Sequence, residues 1–333
     1  MTRRHLAFAA SLLAAGSMLL AACGGGSNGD AVSFPTVIAL GKGNVFPAIN
    51  NALLARGDNR VSISIIDRND NPVFGAAVHL RFYDLNGPKP RFSSETDAVF
   101  VPVELSYVDE QSAGATAKAG ASGAYIAHAS FDATGDWGVQ IAITRDGRAE
   151  KPIPYRFNVQ ERTQEPMVGD PAPASRQITL ANVADITEID SSYPPRPQMH
   201  QVTVADALAA HRPIVLAFAT PAFCRSRTCA PVMDTVMDPL YAKYGAQAAF
   251  IHIEPYDLGP LRQSNVQEPV RATRDWALQG EPWVFVIGAD GRVAAKFDGI
   301  MSLAEVESAV AATIAAAPQA PAATAAATAT ASP

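Results

Sequence analysis

The chain has 333 residues, 48% of them hydrophobic, which is enough to bury the cores of two ordinary domains. Its net charge is −6 at pH 7, and the acidic residues are scattered along the sequence rather than gathered in a tail. This acidic balance argues against a nucleic-acid partner.

The first predicted element, residues 1–22, is a targeting segment. Two arginines precede an Ala/Leu-rich apolar run that is too short for a spanning helix. The run ends in Leu20-Ala-Ala-Cys23, which resembles a bacterial lipobox. The resemblance implies cleavage before Cys23 and a palmitate-type lipid on its sulfur. We therefore expect an extracytoplasmic lipoprotein on a bacterial membrane, with the outer membrane favoured in a Gram-negative cell because Gly24 follows the cysteine.

Residues 23–32 are predicted to be a flexible, glycine-rich tether, and residues 33–160 a β-sandwich. Short alternating runs such as residues 61–66 are separated by turn signals, and Asp146-Gly147 is typical of a hairpin. No convincing helical pattern interrupts them, which favours an all-β sandwich. The Gly135-Asp-Trp-Gly138 turn resembles those of immunoglobulin-like modules in cell-envelope proteins.

Residues 161–167 form a polar linker, and residues 168–316 alternate strand-like and helix-like segments. Four strand-like runs lie at residues 214–219, 248–253, 283–287 and 293–297. Ser302 and Glu305 make a capping box for a terminal helix. This order predicts an α/β domain with a mixed sheet and helices on both faces. Residues 317–333, mostly Ala, Pro and Thr, are predicted to be disordered.

Cys224 and Cys229 lie between an apolar strand and a helical run, and they are the main candidates for chemistry. Two such thiols indicate a redox or metal-handling site, or a permanent structural disulfide. Positions i and i+5 of a regular helix are about 8.5 Å apart between Cα atoms, too far for a disulfide. We therefore predict Cys224 on a loop and Cys229 at the helix start, with Pro231 in the first turn.

The region from about residue 168 to residue 315 resembles the thioredoxin-like superfamily, especially its membrane-tethered thiol–disulfide oxidoreductases. The resemblance rests on Val168-Gly-Asp-Pro-Ala-Pro173, on the strand that leads to the cysteine pair, and on Gly280-Glu-Pro282 before the next strand. It implies that Glu281, Pro282 and Trp283 position a substrate, because the family carries its cis-proline loop there. The departure from the family's pattern is the spacing, C-x4-C where the family has C-x-x-C.

Roles for the other candidates follow from chemistry. Cys224 would be the exposed nucleophile and Cys229 the resolving thiol, with Arg225 and Arg227 favouring the thiolate.

The family's buried acid has no counterpart on the strand before the cysteines, which is apolar. His252 and Glu254 share one face of the next strand and could replace that proton relay.

The partners expected are a protein thiol or disulfide in the envelope and, through Cys23, the membrane; no cofactor and no metal are expected. The β-sandwich would serve as a spacer or docking module. One alternative is a non-catalytic binding lipoprotein with a structural disulfide. Another is a copper-handling protein similar to Sco-type chaperones, which use C-x-x-x-C and a distant histidine. His200, His211 and His252 are poorly placed for that role.

Overall fold

A computed structural model describes residues 33–35, 45–112 and 115–317. The predicted targeting segment, the lipidation site at Cys23, its tether and residues 318–333 of the predicted tail lie outside the described residues. Within the described ranges, no helix is both long and apolar enough to cross a membrane.

Nine strands of the N-terminal part pair into one sheet. They are β1 (Val45–Ile49), β2 (Leu54–Ala55), β3 (Gly57–Asp67), β4 (Ala77–Asp84), β5 (Arg91–Asp109), β6 (Ala115–Phe131), β7 (Gly135–Arg145), β8 (Arg148–Ala149) and β9 (Ile153–Gln160). The order is β1-β3-β6-β5-β4-β7-β9-β2, and β8 pairs with β7. All pairs are antiparallel except that of β2 with β9.

The 19-residue strand β5 is the reason why these strands form a single sheet. Its first half, to Ala98, pairs with β4, and its second half, from Val99, pairs with β6. The sheet therefore curls around one apolar core instead of separating into the two sheets of the predicted immunoglobulin-like sandwich. The largest buried side chains of this core are Trp137, Tyr125, Phe82, Phe131, Ile63, Leu80, Ile141 and Ile143.

The described C-terminal residues hold a second sheet of four strands and six short to medium helices. The strands are β10 (Ile214–Phe218), β11 (Ala249–Ile253), β12 (Trp283–Ile287) and β13 (Val293–Asp298). The helices are α1 (Val204–Ala209), α2 (Cys229–Val232), α3 (Asp238–Tyr244), α4 (Leu258–Ser264), α5 (Arg271–Asp275) and α6 (Leu303–Ala316); a π-helical turn, Met233–Met237, joins α2 to α3. The sheet order is β11-β10-β12-β13, with only β10 and β11 parallel.

All five residues of β10 are buried, because apolar cores lie against both faces of the second sheet. Side chains of α2, α3 and α6 pack on one face. Val204, Ala272 and Trp276, with their neighbours, pack on the other. This packing places the loop after β10 at the junction of the sheet and α2.

The predicted fold class, a sandwich followed by an α/β domain with helices on both faces, is wrong. The described residues are mostly β, with 40% in strands and 22% in helices, and the curled nine-stranded sheet dominates them. Residues 161–203 form loops and single 3₁₀ turns, and α1 and α5 contain only six and five residues. Loops therefore pack over much of the second sheet. The periodicity of apolar residues in the sequence does not distinguish such buried loops from buried helices.

Arg60 in β3 connects the two parts of the described chain. Its side chain is only 8% exposed and forms ion pairs with Glu305 (2.7 Å) and Asp298 (3.4 Å). It also donates a 2.6 Å hydrogen bond to the carbonyl of Ile300. A buried guanidinium needs such partners, so this cluster ties the first sheet to the end of β13 and the start of α6.

Candidate functional site

Cys224 and Cys229 are joined by a disulfide, with their Cα atoms 5.9 Å apart. Cys224 lies on the loop after β10, and Cys229 is the first residue of α2. Pro231 is the third residue of that helix, where a missing N–H costs no intrahelical hydrogen bond. The predicted placement of Cys224 on the loop and Cys229 at the helix start is therefore confirmed, and the disulfide expected among the alternatives is present.

The long C-x4-C segment is accommodated by a tight turn. The Cys224 amide donates to the carbonyl of Thr220, and the Arg227 amide donates to the carbonyl of Cys224. Arg227 has a left-handed φ of 59°. The Ser226 hydroxyl lies 3.1 Å from the Cys224 sulfur and 2.7 Å from the Thr228 hydroxyl, so the turn supplies a hydrogen-bonding group next to that sulfur.

Both cysteines are buried, Cys224 at 1% exposure and Cys229 at 0%, so the predicted exposed position of Cys224 is wrong. The cause is the end of β5, residues 105–109, which we call the β5 cap. The Ser106 amide donates to the Arg227 carbonyl (3.1 Å), and the Val108 amide donates to the Pro221 carbonyl (3.2 Å). The N-terminal part therefore covers the cysteine loop directly, which a mere spacer would not do.

The two arginines of the loop have different surroundings. The guanidinium of Arg227 stacks 3.9 Å from the ring centroid of Tyr107 in the β5 cap, so it binds the cap to the loop. Arg225 is exposed, and its charge acts on Glu281, lowering the pKa of that carboxyl against the effect of burial. Stabilisation of a thiolate by either arginine stays a prediction.

The carboxylate of Glu281 is the group that sequence reasoning undervalued. A carboxylate oxygen of Glu281 and the two cysteine sulfurs lie within 4.8 Å of one another. Burial raises the pKa of Glu281 above its ordinary value, while a 2.6 Å hydrogen bond from the Tyr256 hydroxyl and the charge of Arg225 oppose that rise. An acid therefore lies beside the disulfide, but it comes from the residue before β12 rather than from the strand before the cysteines. The one sequence signal for this acid was the position of Glu281 directly before Pro282.

Pro282 and Trp283 lie next to this carboxylate. The Glu281–Pro282 peptide is cis and Pro282 is buried. Trp283 is half-buried and stacks on Phe285 with their planes 12° apart. Both line a cavity of about 560 Å³ that also touches Ser226, Thr228 and residues of β3. The predicted substrate-positioning residues therefore border an open space beside the cysteine loop.

His252 and Glu254 are buried below the loop, but their partners are not the cysteines. His252 Nε2 donates to the carbonyl of Ala219 (2.9 Å), and Glu254 accepts a 2.7 Å hydrogen bond from the Ser191 amide. Burial lowers the pKa of His252 to about 4. Burial, with the nearby charge of Asp190, raises the pKa of Glu254 to about 8. Neither of these hydrogen bonds reaches a cysteine sulfur, so a proton relay from His252 and Glu254 stays a prediction.

Sequence reasoning missed Asp190 and treated His200 as poorly placed. In the structure, the two residues meet His252 in one buried cluster with three potential metal donors within 4.8 Å of one another. Asp190 Oδ2 lies 3.2 Å from His200 Nε2, and Oδ1 lies 3.6 Å from His252 Nδ1. Asp190 comes from a polar loop with no pattern of its own, so no local signal could have found this cluster.

No protein-family model and no curated protein matches the chain. Among solved structures, it is similar to the soluble domain of PmoD from Methylocystis sp. ATCC 49242 (Rockwell), with 14% sequence identity. The match covers 37% of this chain and 95% of that domain, with a TM-score of 0.20. A similarity at this TM-score supports no statement about fold or function.

Proposed function

We propose that this chain is a thiol–disulfide exchange protein of the bacterial cell envelope, tethered through lipid on Cys23. Cys224 and Cys229 would alternate between the disulfide and the dithiol. The observation that carries the proposal is the Glu281 carboxylate within 4.8 Å of both sulfurs, on a cavity beside the loop. The sequence resemblance to membrane-tethered oxidoreductases supports the activity, and the proposal rests on the site rather than on a fold.

The exchange proceeds through a mixed disulfide. In the reduced protein, the Cys224 thiolate attacks one sulfur of a partner disulfide, which forms a Cys224–partner bond and releases one partner thiolate. The Cys229 thiolate then attacks the Cys224 sulfur, which restores the Cys224–Cys229 disulfide and releases the second partner thiolate. Two electrons pass to the partner, and the reverse sequence oxidises the partner instead.

Glu281 has the position of a proton acceptor for the dithiol. A carboxyl whose pKa is raised by burial is a better base than an exposed glutamate, and so accepts a thiol proton more readily. Tyr256 holds the carboxylate in place through its 2.6 Å hydrogen bond. The Ser226 hydroxyl, 3.1 Å from the Cys224 sulfur, would stabilise the thiolate by donating to it.

The competing function is that of a non-catalytic binding lipoprotein with a structural disulfide. The burial of both sulfurs under the β5 cap favours this alternative. The reduction potential separates the two functions, because structural disulfides lie below about −300 mV and exchange proteins between about −270 and −120 mV. Equilibration in glutathione buffers, followed by alkylation and mass measurement, gives that value.

A trapping experiment tests the exchange directly. In a Cys229→Ser variant, Cys224 should hold partners from an envelope fraction as mixed disulfides that a reductant releases. The matched control is Cys224→Ser, which keeps one thiol but removes the proposed nucleophile. A potential below about −300 mV, together with equal trapping by both variants, would assign the disulfide a structural role.

A further inference from the structure

We propose that Asp190, His200 and His252 bind one divalent transition-metal ion of the zinc type, in a buried site below the cysteine loop. The three residues come from separate segments. His252 lies in β11, and Asp190 and His200 lie in the loops that precede α1. All three are at most 3% exposed. The proposal concerns imidazole and carboxylate donors, so it is independent of the thiol chemistry.

The protonation of His252 makes the site suited to a cation. Its Nε2 faces a carbonyl oxygen, which can only accept, so Nε2 carries the proton. Nδ1 of the neutral ring then presents a lone pair. This Nδ1 has no hydrogen-bond partner among the described residues and faces Asp190 Oδ1 at 3.6 Å. Two buried acceptors that face each other are unfavourable until a cation lies between them.

The distances fit coordination by a small divalent ion. Metal–donor bonds of about 2.1 Å at tetrahedral angles separate neighbouring donors by about 3.4 Å. The carboxylate of Asp190 lies 3.2 Å from His200 Nε2 and 3.6 Å from His252 Nδ1. Two imidazoles and one carboxylate are donors that zinc and related first-row ions accept.

The groups behind the donors orient them as in known metal sites. Asp190 Oδ1 accepts the Ser192 amide (2.8 Å), and Oδ2 accepts the Arg196 amide (2.7 Å), which holds the carboxylate in place. The second ring nitrogen of His252 donates to the Ala219 carbonyl. Metal-binding histidines usually donate their other N–H to a carbonyl or carboxylate in this way.

A cavity borders two of the three donor residues. His200 and His252, together with Glu254, line a space of about 630 Å³. Glu254 Oε2 is buried and has no hydrogen-bond partner among the residues that the structure describes. Three protein donors leave a fourth position of a tetrahedral ion for water or a ligand from this cavity.

The first test uses the full ectodomain with its disulfide intact, stripped of metal with a chelator. Titration with Zn²⁺ should give one ion per chain with micromolar or tighter affinity, and it should raise Tm. X-ray absorption of the zinc-loaded protein should show imidazole nitrogen and oxygen at about 2.0–2.1 Å. Absence of binding, or sulfur scattering at about 2.3 Å, would overturn the proposal.

The second test compares variants by the same titration. Asp190→Asn keeps the shape of the side chain but removes its charge, and should weaken Zn²⁺ binding at least tenfold, the lower end of losses at metal sites. The matched control is His128→Asn, which removes a histidine whose side chain is 73% exposed, and should bind as the wild type does. Equal affinity in both variants would refute the site. If Asp190→Asn fails to fold, the wild-type absorption spectrum decides.

Discussion

Proline at two positions of β5 should loosen the β5 cap while preserving the sheet. The amides of Ser106 and Val108 donate to carbonyls of the cysteine loop. Proline removes that donor and is tolerated in a strand where the amide faces away from the ladder. The second half of the strand already contains a proline, Pro102. Ser106→Pro/Val108→Pro therefore perturbs the contact between cap and loop.

The size of the effect follows from the two hydrogen bonds. Each contributes about 1 kcal/mol net, so the single variant Ser106→Pro should raise the population with an open cap about fivefold and the double variant about 30-fold. A buried disulfide reacts with a small reductant through the open population when opening and closing are fast. The rate of reduction by dithiothreitol should therefore rise by the same factors.

The assay is the time course of disulfide reduction in excess dithiothreitol, quenched by alkylation and read by intact mass. The matched control is Ser106→Ala/Val108→Ala, which shortens the side chains but keeps both amides. Circular dichroism and Tm establish that the proline variants remain folded. If the folded double variant is reduced no faster than its alanine counterpart, the β5 cap does not control access to the disulfide.

Three further predictions concern other parts of the molecule. Glu281→Gln should slow exchange near neutral pH and abolish the loss of rate at low pH that protonation of Glu281 causes in the wild type. Because burial raises the pKa of Glu281, the wild-type rate should begin to fall above the ordinary pH range of a glutamate. An unchanged pH–rate profile in the variant would contradict the role of the carboxyl. Arg60→Ala should destabilise the protein by about 3–5 kcal/mol in urea unfolding, because it takes the buried guanidinium away from two partly buried carboxylates. The control Arg56→Ala, at an exposed ion pair, should cost under about 1 kcal/mol, and equal losses would refute the argument. Cys23→Ala should leave the precursor uncleaved and without label from radioactive palmitate; label in this variant would exclude lipid on Cys23.

Several local features of the fold could be read from the sequence alone. The five-residue separation of Cys224 and Cys229 required one of them to leave the helix, because helical geometry would hold their Cα atoms too far apart. Ser302 caps α6 by accepting from the Glu305 amide, which is one half of the predicted capping box; the Glu305 carboxylate binds Arg60 instead. Such features depend on residues a few positions apart, whose geometry the backbone itself determines.

Helix content and sheet architecture were not available from such local patterns. The apolar periodicity that predicted an α/β domain did not reveal that residues 161–203 form loops, nor that β5 would join two layers into one sheet. The partner of a strand is whichever distant segment packs beside it. The alternation of side chains with a period of two is the same for every partner, so it does not identify the right one. Only the tertiary structure determined the curled sheet.

The candidate sites show the same division. Both cysteines were evident from the sequence, but their burial results from β5, more than 100 residues earlier in the chain. Asp190, His200 and His252 come together only because β11 and two loops before α1 pack against one another. Residue types indicate which chemistry a chain can perform. The packing of distant segments decides which side chains meet, because those contacts form only when the apolar cores on both faces of the second sheet are buried.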